Sequence, residues 1–257
     1  MPDLFDKTAE YYLKYRLQPP QEVIEELRKI GDLNGQEILL DVGCGPGTSS
    51  LFFSPYFKKI ISIDSSNSMI REGINQATKQ GIKNIQWMCA SAETVDLQQI
   101  GLIDLIIFVN SFHWMNQELV INKFKDIIKK GGAFLSGGSS WNNQQVHDQI
   151  IVSTIREFMG EKRKTIQGDY RESKITFKEI IDNSSFTFFE RKLLNFKHEF
   201  TVEKLIGLQL STSYANENLL GEKKSEFISQ LSDRLNKISQ NGIIISNETY
   251  EVILFSK

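Results

Sequence analysis

The chain has 257 residues, 40% of them hydrophobic and 24% charged. At that length roughly 70–75% of the unfolded chain's surface can be buried, so a sizeable core needs no disulfide or metal support, in one large α/β domain or a core with a helical cap. The 30 basic and 32 acidic residues leave a net charge of -2, without the concentrated Lys and Arg excess of a protein that grips a nucleic-acid backbone.

Nucleic acid is therefore not an expected partner. Cys44 and Cys89 stand in no zinc or redox spacing, so no metal site is expected. Met1 to Lys14 lacks the apolar run of a signal peptide, and no apolar run reaches the ~18 residues of a membrane span. The expected location is the cytoplasm.

In chain order, Gln21 to Ile30 predicts a helix with Val23, Ile24, Leu27 and Ile30 on one face. Glu37 to Val42 predicts a buried strand that runs into Gly43-Cys44-Gly45-Pro46-Gly47, with a short helix from Thr48. Lys59 to Asp64 is a second strand, followed by Ser65-Ser66-Asn67, any of which can cap the next helix. That helix carries Ile70, Ile74 and Ala77 at spacings of four and three, and Gly81 suits its end. Asn84 to Ala90 is a third strand and Ile103 to Asn110 a fourth, apolar enough to be covered on both faces.

Asn116 is the expected cap of a helix with Val120, Phe124, Ile127 and Ile128 inward. Gly131-Gly132 is expected to close it, before a fifth strand starts at Ala133 to Ser136. Trp141 to Gly168 predicts helix and loop, Ile175 to Ile181 a helix, Phe186 to Phe200 a strand, and Thr201 to Gln240 mostly helix with Leu205, Leu208, Leu231 and Leu235 inward. Glu248 to Ser256 ends the chain as a strand. The alternation predicts an α/β fold with a doubly wound, seven-stranded, mostly parallel sheet and helical lid insertions. The expected division is an N-terminal helical lid segment (1–36), a cofactor-binding core (37–139), and a region that completes the sheet and carries substrate-lid insertions (140–257).

The strongest local signal is Asp41-Val42-Gly43-Cys44-Gly45-Pro46-Gly47-Thr48. Glycines after a buried strand let a ligand lie against the main chain, and the following helix offers free N–H groups at the carboxyl edge of the sheet. A dinucleotide loop needs Gly-x-Gly-x-x-Gly; here the third glycine comes one residue early. Asp64, ending the second strand, can accept both hydroxyls of a ribose. Cys89-Ala90-Ser91-Ala92-Glu93 is a small-residue turn where a flat base could lie, and Met69 is placed either to cover that base or to pack in the core.

Together these motifs resemble the class I S-adenosylmethionine-dependent methyltransferases, over roughly residues 37 to 139. The resemblance implies that S-adenosylmethionine is the cofactor. Asp41 and Gly43 would lie near its methionine part, Gly45 and Gly47 would approach it closely, and Asp64, with Ser65 beside it, would hold the ribose. Ser91 and Ala92 would meet the adenine edge, Ser91 standing where many members have Asp. Asn110 opens Asn110-Ser111-Phe112-His113, at the position where enzymes acting on base amino groups carry Asn-Pro-Pro-aromatic; Asn110 fits and Ser111 and Phe112 do not. Phe5-Asp6-Lys7, Tyr12, Tyr15-Arg16, Pro19-Pro20, His113-Trp114 and Ser211-Thr212-Ser213-Tyr214 are similar to the small-molecule group related to trans-aconitate methyltransferase. That likeness implies an N-terminal segment folded over the cofactor, with Tyr15 or Arg16 near the methionine carboxylate.

Methyl transfer asks chiefly for alignment, a dry cleft and aromatic walls. Tyr12, Trp114, Trp141 and Tyr214 are candidate acceptor-site aromatics. His113 is the candidate catalytic residue, a base for a hydroxyl acceptor, or an orienting or packing group for a carboxylate. The expected function is methyl transfer to a small molecule, with a carboxylate oxygen as candidate acceptor, by a monomer or weak homodimer. The alternatives are a non-catalytic S-adenosylmethionine-binding or partner-binding module, and an NAD-dependent oxidoreductase disfavoured by the glycine spacing.

Overall fold

The computed structural model describes residues 9–31, 33–137, 145–161, 164–165, 168–169 and 176–257. Five strands follow one another through the first half: β1 (Ile38–Val42), β2 (Lys59–Asp64), β3 (Ile85–Cys89), β4 (Ile103–Val109) and β5 (Ile128–Gly137). Two long strands come later, β6 (Thr187–Thr201) and β7 (Ile243–Ser256). They form one seven-stranded sheet in the order β3-β2-β1-β4-β5-β7-β6. The pairs β2/β3, β1/β2, β1/β4 and β4/β5 are parallel, and β7 runs antiparallel to β5. This is the expected doubly wound fold, and the strand order reverses at β1, the place where such sheets bind ligands.

The crossovers are α3 (Thr48–Phe53), α4 (Asn67–Lys79), α5 (Leu97–Ile100) and α6 (Gln117–Phe124). Of the three candidate caps before α4, Ser66 serves: its hydroxyl accepts from Met69 N–H at 3.2 Å. Gly81 follows the helix at φ +69°. The inward row of α4 is Met69, Ile70, Gly73 and Ala77, whereas Ile74 is 42% exposed. Asn116 caps α6 as expected, accepting from Leu119 N–H at 3.2 Å.

The end of α6 differs from expectation. The helix stops at Phe124, and Ile128, Gly131 and Gly132 belong to β5. A Cβ at Gly131 would overlap the Phe255 backbone of β7, and one at Gly132 the Ile106 backbone of β4. These glycines therefore let neighbouring strands approach, and do not cap a helix.

The chain divides into two compact units. The sheet unit comprises 18–137, 172–194 and 250–257, and the helical unit 1–17, 138–171 and 195–249. The core of the sheet unit includes Leu40, Val42, Ile61, Ile63, Ile106, Phe108 and Phe112, each buried side chain stabilising the fold by roughly 1.5–3 kcal/mol. Lys192 and Lys29 both pair with the buried carboxylate of Glu26, on α2 (Glu22–Arg28), at 2.6 and 2.7 Å.

The helical unit packs α1 (Ala9–Tyr15), α7 (Val146–Met159), α9 (Val202–Leu210), α10 (Glu217–Leu220) and α11 (Lys224–Asn236), while α8 (Phe177–Asp182) belongs to the sheet unit. Leu205, Leu208, Leu231 and Leu235 are buried, as expected. Arg234 on α11 clamps Glu157 on α7 with two bonds of 2.8 and 2.7 Å. No helix among the described residues is long and apolar enough to cross a membrane.

Candidate active site

The loop after β1 is held from below by the strand beside it. Gly43 N–H and Cys44 N–H both donate to the Ile63 carbonyl of β2, at 2.8 and 3.1 Å. Gly45 N–H donates to Asp64 Oδ2 at 2.8 Å, and Asp64 Oδ1 accepts from Ser66 N–H at 2.8 Å. The acid that ends β2 thus fixes the middle of the loop that follows β1.

Two of the loop glycines do different work. Gly45 has φ +54° and a Cβ there would meet nothing within 4 Å, so one side of the loop opens onto free space. Gly47 has φ +86° and a Cβ there would overlap the Trp87 ring. Trp87, on β3, fills the room left by both Gly47 and Gly73 of α4. The close approach that Gly47 permits in the protein itself is therefore to this indole.

Asp41 lies under the loop and is fully buried. Its Oδ2 accepts from Ser49 and Ser50 hydroxyls, each at 2.6 Å. Its Oδ1 is buried with no partner in the protein. Burial pushes the carboxyl pKa up to about 6; the two hydroxyls oppose this, and the Asp64 charge adds to it. A buried acid with one oxygen unpaired in the protein holds its charge poorly, and a nearby cationic group favours its ionised form.

Met69 is buried at 2% exposure and Ser65 lies on the surface. In the turn after β3, Ala92 is buried, and Ser91 Oγ donates to Glu93 Oε2 at 2.5 Å. Asn110 stands at the end of β4 with φ +50°, unusual for a side-chain-bearing residue. Its amide bonds Gly137 both ways: Nδ2 donates to the carbonyl at 3.1 Å and Oδ1 accepts from the N–H at 3.2 Å. Ser111 Oγ donates to the Val42 carbonyl at 2.6 Å, tying this loop to β1. His113 and Trp114 follow in a short helical turn, both exposed, with ring centroids 5.1 Å apart.

In the helical unit, Tyr15 is 9% exposed, its ring lies against Gly207, and its hydroxyl donates to Glu203 Oε1 at 2.9 Å. Arg16 Nε donates to Ser211 Oγ at 2.9 Å, and its guanidinium lies 4.9 Å from the Tyr12 ring centroid. Tyr214 is buried in that unit's core. Trp141 lies outside the described residues.

Sequence reasoning missed Ser49, Ser50, Trp87 and Glu93 as parts of the site's support. In the sequence Glu93 is legible only as the end of the small-residue turn. The serines reach back eight and nine positions to Asp41, a separation that matches no single-element period. Trp87 carries no sequence signal for its place, because Gly47 and Gly73, whose room it fills, lie on two other elements.

The parallel sheet, the open glycine loop at its switch point and the acid closing β2 define a cofactor-binding α/β enzyme core. Residues 39–132 match the family model described as a methyltransferase domain. The probable S-adenosylmethionine-dependent methyltransferase CRG1 of Saccharomyces cerevisiae is 26% identical over 125 residues, 48% of this chain and 43% of that protein. The uncharacterized methyltransferase YcgJ of Bacillus subtilis is 23% identical over 131 residues, 51% of this chain and 52% of its own length. The YcgJ crystal structure shares the fold at a TM-score of 0.55 and 15% identity, covering 93% of this chain and 99% of that one. Coclaurine N-methyltransferase, solved with N-methylheliamine and SAH, shares it at 0.52 and 15%, covering 91% and 72%. This chain spans about half the length of the two curated relatives. Residues 39–132 are thus similar to a methyltransferase domain, and these likenesses support S-adenosylmethionine as the cofactor.

Proposed function

We propose that this protein methylates a small molecule, and that the acceptor atom is a carboxylate oxygen. The observation that carries the reading is the exposed His113–Trp114 ring pair, set on the loop that Ser111 ties to β1 directly before the glycine turn. An aromatic face beside an imidazole suits a cationic donor and a polar acceptor together. The carboxylate assignment is supported by the likeness of Tyr12, Tyr15-Arg16, His113-Trp114 and Ser211 to Tyr214 to the trans-aconitate methyltransferase group. The small-molecule assignment is supported by the net charge of -2 and by the fold shared with coclaurine N-methyltransferase.

In this reading Asp64, with Ser65 beside it, holds the ribose, Ser91 and Ala92 border the adenine, and Met69 supports that border from the core. Asp41, Gly43, Gly45 and Gly47 accommodate the methionine part, and Asn110 keeps the loop that faces it in register. The resemblance assigns Tyr15 or Arg16 to the methionine carboxylate; within the helical unit Tyr15 holds α1 on α9, and Arg16 has guanidinium donors beyond those used on Ser211. Trp114 borders the acceptor on the sheet unit; Tyr12, Trp141 and Tyr214 are acceptor-site candidates by the resemblance. The helical excursions within 140–257, with the 1–36 segment, select the acceptor.

The cofactor supplies a methyl group on a positively charged sulfur, already activated. The chain's contribution is alignment, which can lower a barrier by roughly 7–11 kcal/mol. A carboxylate is ionised near pH 7 and needs no base, so His113 orients it by donating a ring N–H.

The test is incubation with methyl-labelled S-adenosylmethionine and a panel of di- and tricarboxylates, phenols, amines and RNA transcripts. The expected products are methyl esters and S-adenosylhomocysteine in equal amounts. Turnover on phenols or amines alone replaces the carboxylate, and labelled RNA overturns the small-molecule reading. Cofactor binding with no turnover leaves a binding module.

A further inference from the structure

Glu93 joins the turn after β3 to the turn after β4. Its Oε2 accepts from Ser91 Oγ at 2.5 Å and its Oε1 accepts from the Asn116 N–H at 3.0 Å. Its N–H donates back to Ser91 Oγ at 3.2 Å, and its carbonyl accepts from Lys123 Nζ, on α6, at 2.9 Å. Asn116 is the N-cap of α6. The residues just before it, Phe112–Trp114, form the helical turn that carries His113 and Trp114, closed by Met115 N–H on the Phe112 carbonyl. One carboxylate thus receives one hydrogen bond from the proposed adenine turn and another from the base of the proposed acceptor turn.

We propose that Glu93 is a positioning residue that couples cofactor occupancy at Ser91–Ala92 to the placement of His113 and Trp114, so that the acceptor binds after the cofactor. This rests on the function proposed above. Ser91 has a single hydroxyl proton, which it gives to Glu93. A ligand donor reaching the Ser91 oxygen polarises that O–H and strengthens its bond to Oε2. Charge drawn toward Oε2 leaves Oε1, and with it the hold on the Asn116 N–H loosens. Burial raises the Glu93 pKa, but the Ser91 and Asn116 donors outweigh it and hold the group below the usual carboxylate range, so it stays an acceptor at both oxygens.

Glu93→Gln is the informative variant. A glutamine can still accept from the Asn116 N–H, but its NH2 must donate toward Ser91, which reverses that bond at nearly constant shape. The protein holds three tryptophans, so 5-fluorotryptophan labelling gives few fluorine resonances, and Trp114→Phe assigns one of them. S-adenosylhomocysteine is the titrant, with calorimetry and melting curves run in parallel. In the wild type the Trp114 resonance is expected to shift on binding. In Glu93→Gln the ligand still binds but the Trp114 shift at saturation is expected to be lost. An undiminished shift in saturated Glu93→Gln overturns the proposal, because Trp114 then senses the ligand by another route. A wild type that binds without any Trp114 shift also overturns it. A folded wild type that binds neither this ligand nor S-adenosylmethionine fails the cofactor assignment itself, a different result read from the calorimeter.

Discussion

Asp64 and Gly45 are joined by a hydrogen bond of 2.8 Å, from the loop N–H to a carboxylate at the end of the neighbouring strand. The proposed ribose anchor is therefore also the anchor of the glycine loop, and removing it strikes the cofactor twice. Hydrogen bonds to charged groups contribute roughly 1.5–3 kcal/mol, so Asp64→Ala is expected to weaken S-adenosylhomocysteine binding by about tenfold to a hundredfold. Asp64→Asn keeps one carbonyl acceptor and falls between. Calorimetry on folded variants checks this, and unchanged affinity in Asp64→Ala removes the carboxylate from the site.

The loop glycines separate by what lies beside them. At Gly47 an added methyl group meets the Trp87 ring and must also hold φ +86°; left-handed backbone costs ~1–2 kcal/mol and overpacking ~1–3 kcal/mol, so Gly47→Ala loses several kcal/mol of stability. At Gly45 nothing in the protein is met, so Gly45→Ala loses only the backbone cost of ~1–2 kcal/mol. Its methyl group points into the open side, and cofactor affinity falls although the fold persists. Melting temperatures and calorimetric affinities together sort the two. Equal stability losses would contradict the assignment of Trp87 to Gly47.

Much of this arrangement was legible in the sequence, for reasons specific to each element. β1, β2 and β4 are short apolar runs covered on both faces, so hydropathy marks them directly. Ser66 and Asn116 were readable as caps because a polar side chain precedes an apolar helical row. β7 begins at Ile243, ahead of the predicted start at Glu248, because the added stretch buries the polar Ser246, whose hydroxyl bonds Glu248 at 2.5 Å and His147 at 3.1 Å, partners no local pattern shows. Gly131 and Gly132 looked like a helix end because local pattern cannot show that β4 and β7 crowd them. For the site, motif spacing located the loop, Asp64 and the Ser91 turn. The partners that orient them, Ser49, Ser50 and Glu93, act across elements and carry no period.

Tyr15 tests how the helical unit is held. Its hydroxyl is given to Glu203 and its ring covers Gly207. Tyr15→Phe keeps the ring and loses one hydrogen bond, for a destabilisation of about 1 kcal/mol. Because that hydroxyl is already engaged, cofactor affinity is expected to stay within about twofold, less than 1 kcal/mol. Denaturant unfolding and calorimetry measure both, and a tenfold affinity loss would assign the hydroxyl to the cofactor in place of Arg16.

Asp41 sets a pH dependence with a definite sign. Burial raises its pKa from 3.8 to about 6 in the folded protein. A group whose folded pKa is raised contributes stability that is fully present below pH ~4 and is lost as pH rises through about 6. The two-unit difference corresponds to about 3 kcal/mol, so the cofactor-free protein gains stability from this site between pH 7 and pH 4. Asp41→Asn removes the ionisation, and is expected to flatten that part of the profile and to melt higher than wild type at pH 8. The same substitution removes the negative charge proposed to face the methionine part of the cofactor. A cationic ligand group there favours the ionised carboxylate, so wild-type binding releases protons near pH 6 and weakens below it. Calorimetry in two buffers of different ionisation enthalpy reads that proton release, which should vanish in Asp41→Asn together with most of the affinity. A variant that binds as tightly as wild type and keeps the same pH profile would leave Asp41 a purely structural acid, bound to Ser49 and Ser50 alone.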